Sequence, residues 1–118
     1  MLYENPAGMK PRVAESAIVH EDAKIIGNVY IGDNVRIGSN AVIRADEPCL
    51  EGNLEGIVVE PDVCIQDGVI IHALSGTSVR IGKGATLARE VTIIGPCDVG
   101  ENCFVDFKCL VFKATLGD

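Results

Sequence analysis

At 118 residues the chain is long enough for one domain and no more. Apolar residues make up 47% of it, with no Trp and three Phe, so any core must be aliphatic. A formal charge of −7 opposes association with nucleic acid, whose phosphates select Lys and Arg. No apolar run approaches the roughly 20 residues that span a bilayer.

The first residues, MLYENPAGMKPRVAES, contain no apolar signal core, and the expected location is cytoplasmic. Five cysteines (Cys49, Cys64, Cys97, Cys103 and Cys109) form no CxxC pair, which suits reduced thiols better than a disulfide framework. Cys49 is the candidate reactive thiol, and the last three read as small packing residues.

Residues 1–12 hold Pro6, Gly8 and Pro11 and read as an irregular arm. From Val13 a period of six begins: Val13, Val19, Ile25, Ile31, Ile37 and Ile43. Four residues after each of the first five stands a small or β-branched residue: Ala17, Ala23, Val29, Val35 and Ala41. The period pauses over a polar stretch, 47–58. It resumes at Val59, Ile65 and Ile71, pauses again at 74–80, and then runs through Ile81, Leu87, Ile93, Val99, Val105 and Val111.

That makes fifteen hexads in one domain spanning 1–118. Helices repeat at three and four residues and simple strands at two. A period of six, with one aliphatic and one small residue per unit, specifies a parallel β-helix. Each hexad supplies one short strand and a turn, three hexads make a triangular coil, and fifteen make five coils. The two pauses become loops that leave the prism. The residue after each aliphatic position points outward, so His72, which follows Ile71, is expected on the outer surface.

Several segments resemble the γ-class carbonic anhydrases and their hexapeptide-repeat relatives. They are IRAD at 43–46, QDGVIIHAL at 66–74, IGKGATLA at 81–88, GPCDVGENCF at 95–104 and VFKATLGD at 111–118. The resemblance implies an all-β, left-handed parallel β-helix that assembles as a homotrimer. It also implies a zinc or iron at the subunit interface, held by two histidines of one subunit and one of its neighbour. The family's closing C-terminal helix has no counterpart before Asp118.

By motif, His72 matches the first metal ligand. The other two fall on Arg89 and Ile94, within AREVTIIGP at 88–96. A catalytic zinc takes three protein ligands and keeps a position for water, whose pKa it lowers to about 7. A guanidinium and an alkyl group supply neither ligand. The remaining histidine, His20, is placed too many coils away to help. No metal and no cofactor are therefore expected, with His72 the one retained ligand, and the loss argues against carbon dioxide hydration.

The resemblance also implies an interfacial salt bridge for Arg44 and Asp46, and pocket positions for Gln66 and Asp67. His72 admits three readings: a hydrogen-bonding remnant in the interface, a general base near neutral pH, or a ligand to a weakly held metal together with Glu90. Arg89 could pair with Glu90 or Asp67, or hold a small anion such as bicarbonate. The expected function is a carbonic-anhydrase-like binding or structural subunit with a degenerate metal site. The alternatives are an active γ-class carbonic anhydrase, or a metal-independent, CoA-dependent acyltransferase with His72 as base.

Overall fold

A computed structural model describes residues 2–4, 8–45, 56–74 and 77–117. Asp46, Cys49 and most of the first loop lie outside the described residues. The described residues are strands and turns without a helix, arranged in three parallel sheets. The chain is a left-handed parallel β-helix of about five coils.

The first face stacks Leu2–Tyr3, Lys24–Gly27, Val42–Ala45, Ile70–His72, Thr92–Ile94 and Leu110–Phe112. The second stacks Arg12–Val13, Val29–Ile31, Ile57–Val59, Val79–Ile81, Cys97–Val99 and Thr115–Leu116. The third stacks Ile18–Val19, Arg36–Ile37, Cys64–Ile65, Thr86–Leu87 and Phe104–Val105. Successive coils on a face are always three strands apart in sequence, as a hexad per side requires.

The sixfold positions pair in register. Ile25, Ile43, Ile71, Ile93 and Val111 form one column inside the first face. Ile31, Val59, Ile81 and Val99 form another inside the second. These residues and the small positions between them are the core, and that core contains no buried polar residue among those described. Ile25, Ile43, Ile71 and Ile93 are all 0% exposed. Each coil buries its inner face only against its neighbours, so stability is nearest-neighbour in kind.

The turns are built alike. Where the third face bends into the first, Asn40, Gly68, Glu90 and Lys108 occupy the same place in successive coils, all with positive φ between 58° and 73°. Where the second bends into the third, Asn34, Asp62, Gly84 and Asn102 do the same. Left-handed backbone favours Gly and Asn, which explains the DG at 67–68 and makes Glu90 an unusual occupant of its corner.

The structure corrects four expectations. The arm is not wholly irregular: Leu2–Tyr3 pairs with Ile25–Ile26, and Arg12 already belongs to a strand. The first pause ends earlier, because Ile57 and Val58 are in a strand. So does the second, because Val79 and Arg80 are too. The small positions Cys103 and Cys109 are not sealed: Cys97 is buried, Cys103 half-buried and Cys109 exposed, because the last described coil packs against neighbours on one side only.

Candidate functional site

Alternation along Ile70–His72 buries Ile71 and turns His72 outward, half-buried, with its Nε2 enclosed by protein. In the parallel sheet His72 is the register partner of Arg44 on one side and Ile94 on the other. Ile26 lies beyond Arg44, and Phe112 beyond Ile94. The outward column is thus Ile26, Arg44, His72, Ile94 and Phe112, with the imidazole at its centre. A second outward column, Lys24, Val42, Ile70, Thr92 and Leu110, runs beside it.

Most of this face is apolar, with Lys24, Arg44, His72 and Thr92 as its polar positions. Ile70, Leu110 and Phe112 are 41%, 64% and 51% exposed, and Ile26, Val42 and Ile94 are half-buried. The outer side of the second face is more polar. There Arg80 lies between Glu60 and Asp98: Nη1 donates to Glu60 Oε1 at 2.8 Å, and Nε donates to Asp98 Oδ1 at 3.1 Å. The hydrogen bond to Asp98, reinforced by both carboxylate charges against some desolvation, holds the Arg80 guanidinium above its ordinary value. Solvent reaches all three groups, so the cluster contributes at most about 1 kcal/mol per pair. It lies on the second face and has no part in the His72 site.

Gln66, Asp67 and Arg89 are not beside His72 within one chain. They sit together at the far edge of the third face and the corner after it. With Arg36, Cys64, Ile18 and Gly38 they line a concavity of about 320 Å³. The Ser39 N–H donates to Asp67 Oδ1 at 2.9 Å. Gly38 is required here, because a Cβ on it would stand 2.3 Å from Asp67 Oδ1 and 2.9 Å from Asp67 N.

Glu90, in its left-handed corner, lies over Gly68 and pairs with Lys108 at 3.6 Å. Neither Glu90 nor Asp67 forms an ion pair with Arg89 among the described residues, so the expected Arg89–carboxylate pairing is not found there. His20 is likewise remote: its Nδ1 accepts the Asp22 N–H at 3.1 Å in an exposed turn. The Arg44–Asp46 pairing falls on a residue outside those described.

Arg36 and Cys64 escaped the sequence reading. The signal was available, since both stand one residue before an aliphatic position of the third face (Ile37 and Ile65) and are register partners. Among the described residues no three His, Cys, Asp or Glu side chains group closely enough to hold a metal within one chain. No described helix is long and apolar enough to cross a membrane.

The chain resembles known proteins along most of its length. Residues 10–45 match the bacterial transferase hexapeptide (six repeats). The chain is 38% identical over 116 residues to the carboxysome assembly protein CcmM of Nostoc sp., an alignment covering 90% of this chain and 20% of that protein. It is 30% identical over 135 residues to the carbonic anhydrase of Methanosarcina thermophila, covering 97% of this chain and 51% of that enzyme. It therefore spans about a fifth of the first relative and half of the second. Among solved structures, an acetyltransferase candidate from Bacillus cereus superposes over 99% of this chain and 74% of its own, with a TM-score of 0.72 and 24% identity; that likeness establishes the fold alone. Sixfold periodicity, three-sided coils and these similarities together support a hexapeptide-repeat chain similar to γ-class carbonic anhydrases and their relatives.

Proposed function

We propose that this chain is a carbonic-anhydrase-like binding or structural subunit whose metal site is degenerate, and that it does not hydrate carbon dioxide through zinc. One observation carries the reading: the register partners of His72 on its outward column are Arg44 and Ile94. A metal on this face meets one imidazole between a cation and an alkyl group. The third position implied by the resemblance, Arg89, adds a second cation. A site with three nitrogen or oxygen ligands does not fit this set, and no catalytic step runs through a metal here. The Nostoc relative, whose name describes assembly rather than chemistry, is consistent with a structural role.

The assembly is a homotrimer in which the apolar first face meets a neighbour's corner. Three features support it: exposed Ile70, Leu110 and Phe112 on a continuous face, the imidazole at the centre of that face, and Arg89 and Gln66 gathered at the corner. His72 then acts as a hydrogen-bonding group within the interface rather than as an acid or base. In such an arrangement the three interfaces are separate, and each holds one His72.

Metal analysis of the purified protein, a carbon dioxide hydration assay, and sedimentation of the wild type and His72→Ala test the proposal. A trimer with substoichiometric zinc and no hydration above background is expected. Stoichiometric zinc with hydration abolished by His72→Ala establishes the active carbonic anhydrase instead. Acetyl-CoA turnover lost in the same variant establishes the acyltransferase.

A further inference from the structure

We infer that the outer side of the second face is a pairing surface for a second copy of this chain, set antiparallel to the first about a two-fold axis. Register partners place Arg12, Tyr30, Val58, Arg80, Asp98 and Thr115 in one outward column across its six strands. Tyr30 and Val58 are 41% and 42% exposed. Beside this column, Gly32, Gly82 and Gly100 follow the aliphatic positions. A Cβ on Gly32 or Gly82 would stand 2.9 Å or 2.7 Å from backbone of the next coil, so that side of the face stays low, and Glu60 alone rises between the glycines.

The column is complementary to its own reverse. An axis through Val58, running along its strand, sets Val58 against Val58 of the second copy. Tyr30 then faces Arg80 and Arg12 faces Asp98, each contact made twice. The Arg80 guanidinium meets an aromatic ring that Arg12 already covers at 5.7 Å. Arg12 forms no ion pair among the described residues. Both Arg80 contacts to Asp98 use Oδ1, which leaves Oδ2 to accept from Arg12 of the other copy. Moving the axis to Arg80 sets two guanidinia against each other, and moving it between Tyr30 and Val58 sets Arg12 against Arg80. The axis through Val58 also brings Glu60 near its copy, but Arg80 Nη1 at 2.8 Å and the Lys83 N–H at 3.0 Å already compensate that carboxylate.

Strands spaced about 4.8 Å apart make this face about 24 Å long. That is at the small end of what specific interfaces bury, so pairing is weak and follows concentration. The second face is not the one that the proposed trimer covers. Pairing through it depends neither on that trimer nor on the state of the metal site, and both contacts coexist.

Sedimentation of the full-length protein over a range of concentrations tests the pairing. The mass of the smallest species is expected to double as concentration rises. Val58→Asp abolishes the doubling and leaves the smaller species intact. Arg12→Asp weakens pairing about tenfold, because the substitution acts twice in each pair. Asp98→Arg does the same, and Arg12→Asp combined with Asp98→Arg restores it. Arg12 and Asp98 lie four strands apart, about 19 Å within one chain, so only a contact between copies gives that rescue. A short thiol cross-linker supplies a second readout in a Cys109→Ser background. Val58→Cys added there joins two copies, and Thr115→Cys does not, since the reversed column has no strand opposite Thr115. A mass that stays constant up to about 1 mM, a doubling that Val58→Asp leaves unchanged, a charge swap that fails to restore pairing, or equal cross-linking through Thr115→Cys overturns the pairing.

Discussion

Restoring ligands to the His72 column tests the reading of this face directly. Ile94 and His72 are register partners on adjacent parallel strands, which lie about 4.8 Å apart. A tetrahedral zinc with Zn–N near 2.05 Å holds two nitrogens roughly 3.3 Å from each other. Two imidazoles on neighbouring strands therefore reach one zinc by leaning together about 1.5 Å in total. Ile94→His alone gives two ligands from one chain, and in the proposed trimer adding Arg89→His supplies a third from the neighbour's corner.

The cost of the change is modest because Ile94 is only half-buried; loss of part of its apolar contact amounts to about 1 kcal/mol. The gain follows from linkage. A metal at one hundred times its Kd stabilises the folded state by about 2.7 kcal/mol, which for a domain of this size raises Tm by roughly 10 °C. The assay is thermal unfolding with and without zinc, together with metal stoichiometry after dialysis. A zinc-dependent rise of that order in the double variant is expected, with a smaller one in Ile94→His and none in wild type. If the folded double variant shows no zinc-dependent shift, the column does not have the geometry of a metal site. If Ile94→His alone binds as tightly as the pair, Arg89 does not reach a neighbour's first face and the proposed trimer is wrong.

Two further outcomes follow from the packing. Ile71→Ala, at a fully buried position stacked between Ile43 and Ile93, costs about 2–5 kcal/mol in urea unfolding. Val13→Ala, half-buried in the first coil, costs less than about 1.5 kcal/mol; equal losses would refute nearest-neighbour stacking as the source of stability. Thiol labelling of the native protein modifies Cys109 first, Cys103 more slowly and Cys97 only on unfolding, following their exposures; mass spectrometry of the digested protein checks the order.

Much of this molecule is legible in its sequence, because a solenoid converts linear period into spatial register. Ile43, Ile71 and Ile93 stack because each opens a hexad, and skipping the loops leaves them one turn apart. The same arithmetic turns His72 outward and sets Phe104 and Phe112 on the surface, where they are found. The boundaries were harder. Leu2–Tyr3 has no hexad to announce it, yet it finds an open sheet edge beside Ile25 and pairs there. Ile57 and Val79 sit where a loop rejoins the prism, and the pairing of Val79 with Ile57 and Cys97, rather than their own periodicity, brings them into strands.

The candidate sites divide in the same way. That His72 is flanked by Arg44 and Ile94 follows from the period once loop lengths are known. That Arg36, Cys64 and Arg89 share one hollow does not, because it depends on how far long side chains lean across a corner. Glu90 gave no hint that it would turn from Arg89 to Lys108, which occupies the same corner one coil on. The sequence by itself determined the fold, the aliphatic core and the face each residue belongs to, since all three depend on a backbone repeat fixed by short-range order. Tertiary structure alone decided which charged side chains meet and which are left facing an open hollow, since those contacts join residues from different coils whose separation in sequence carries no period.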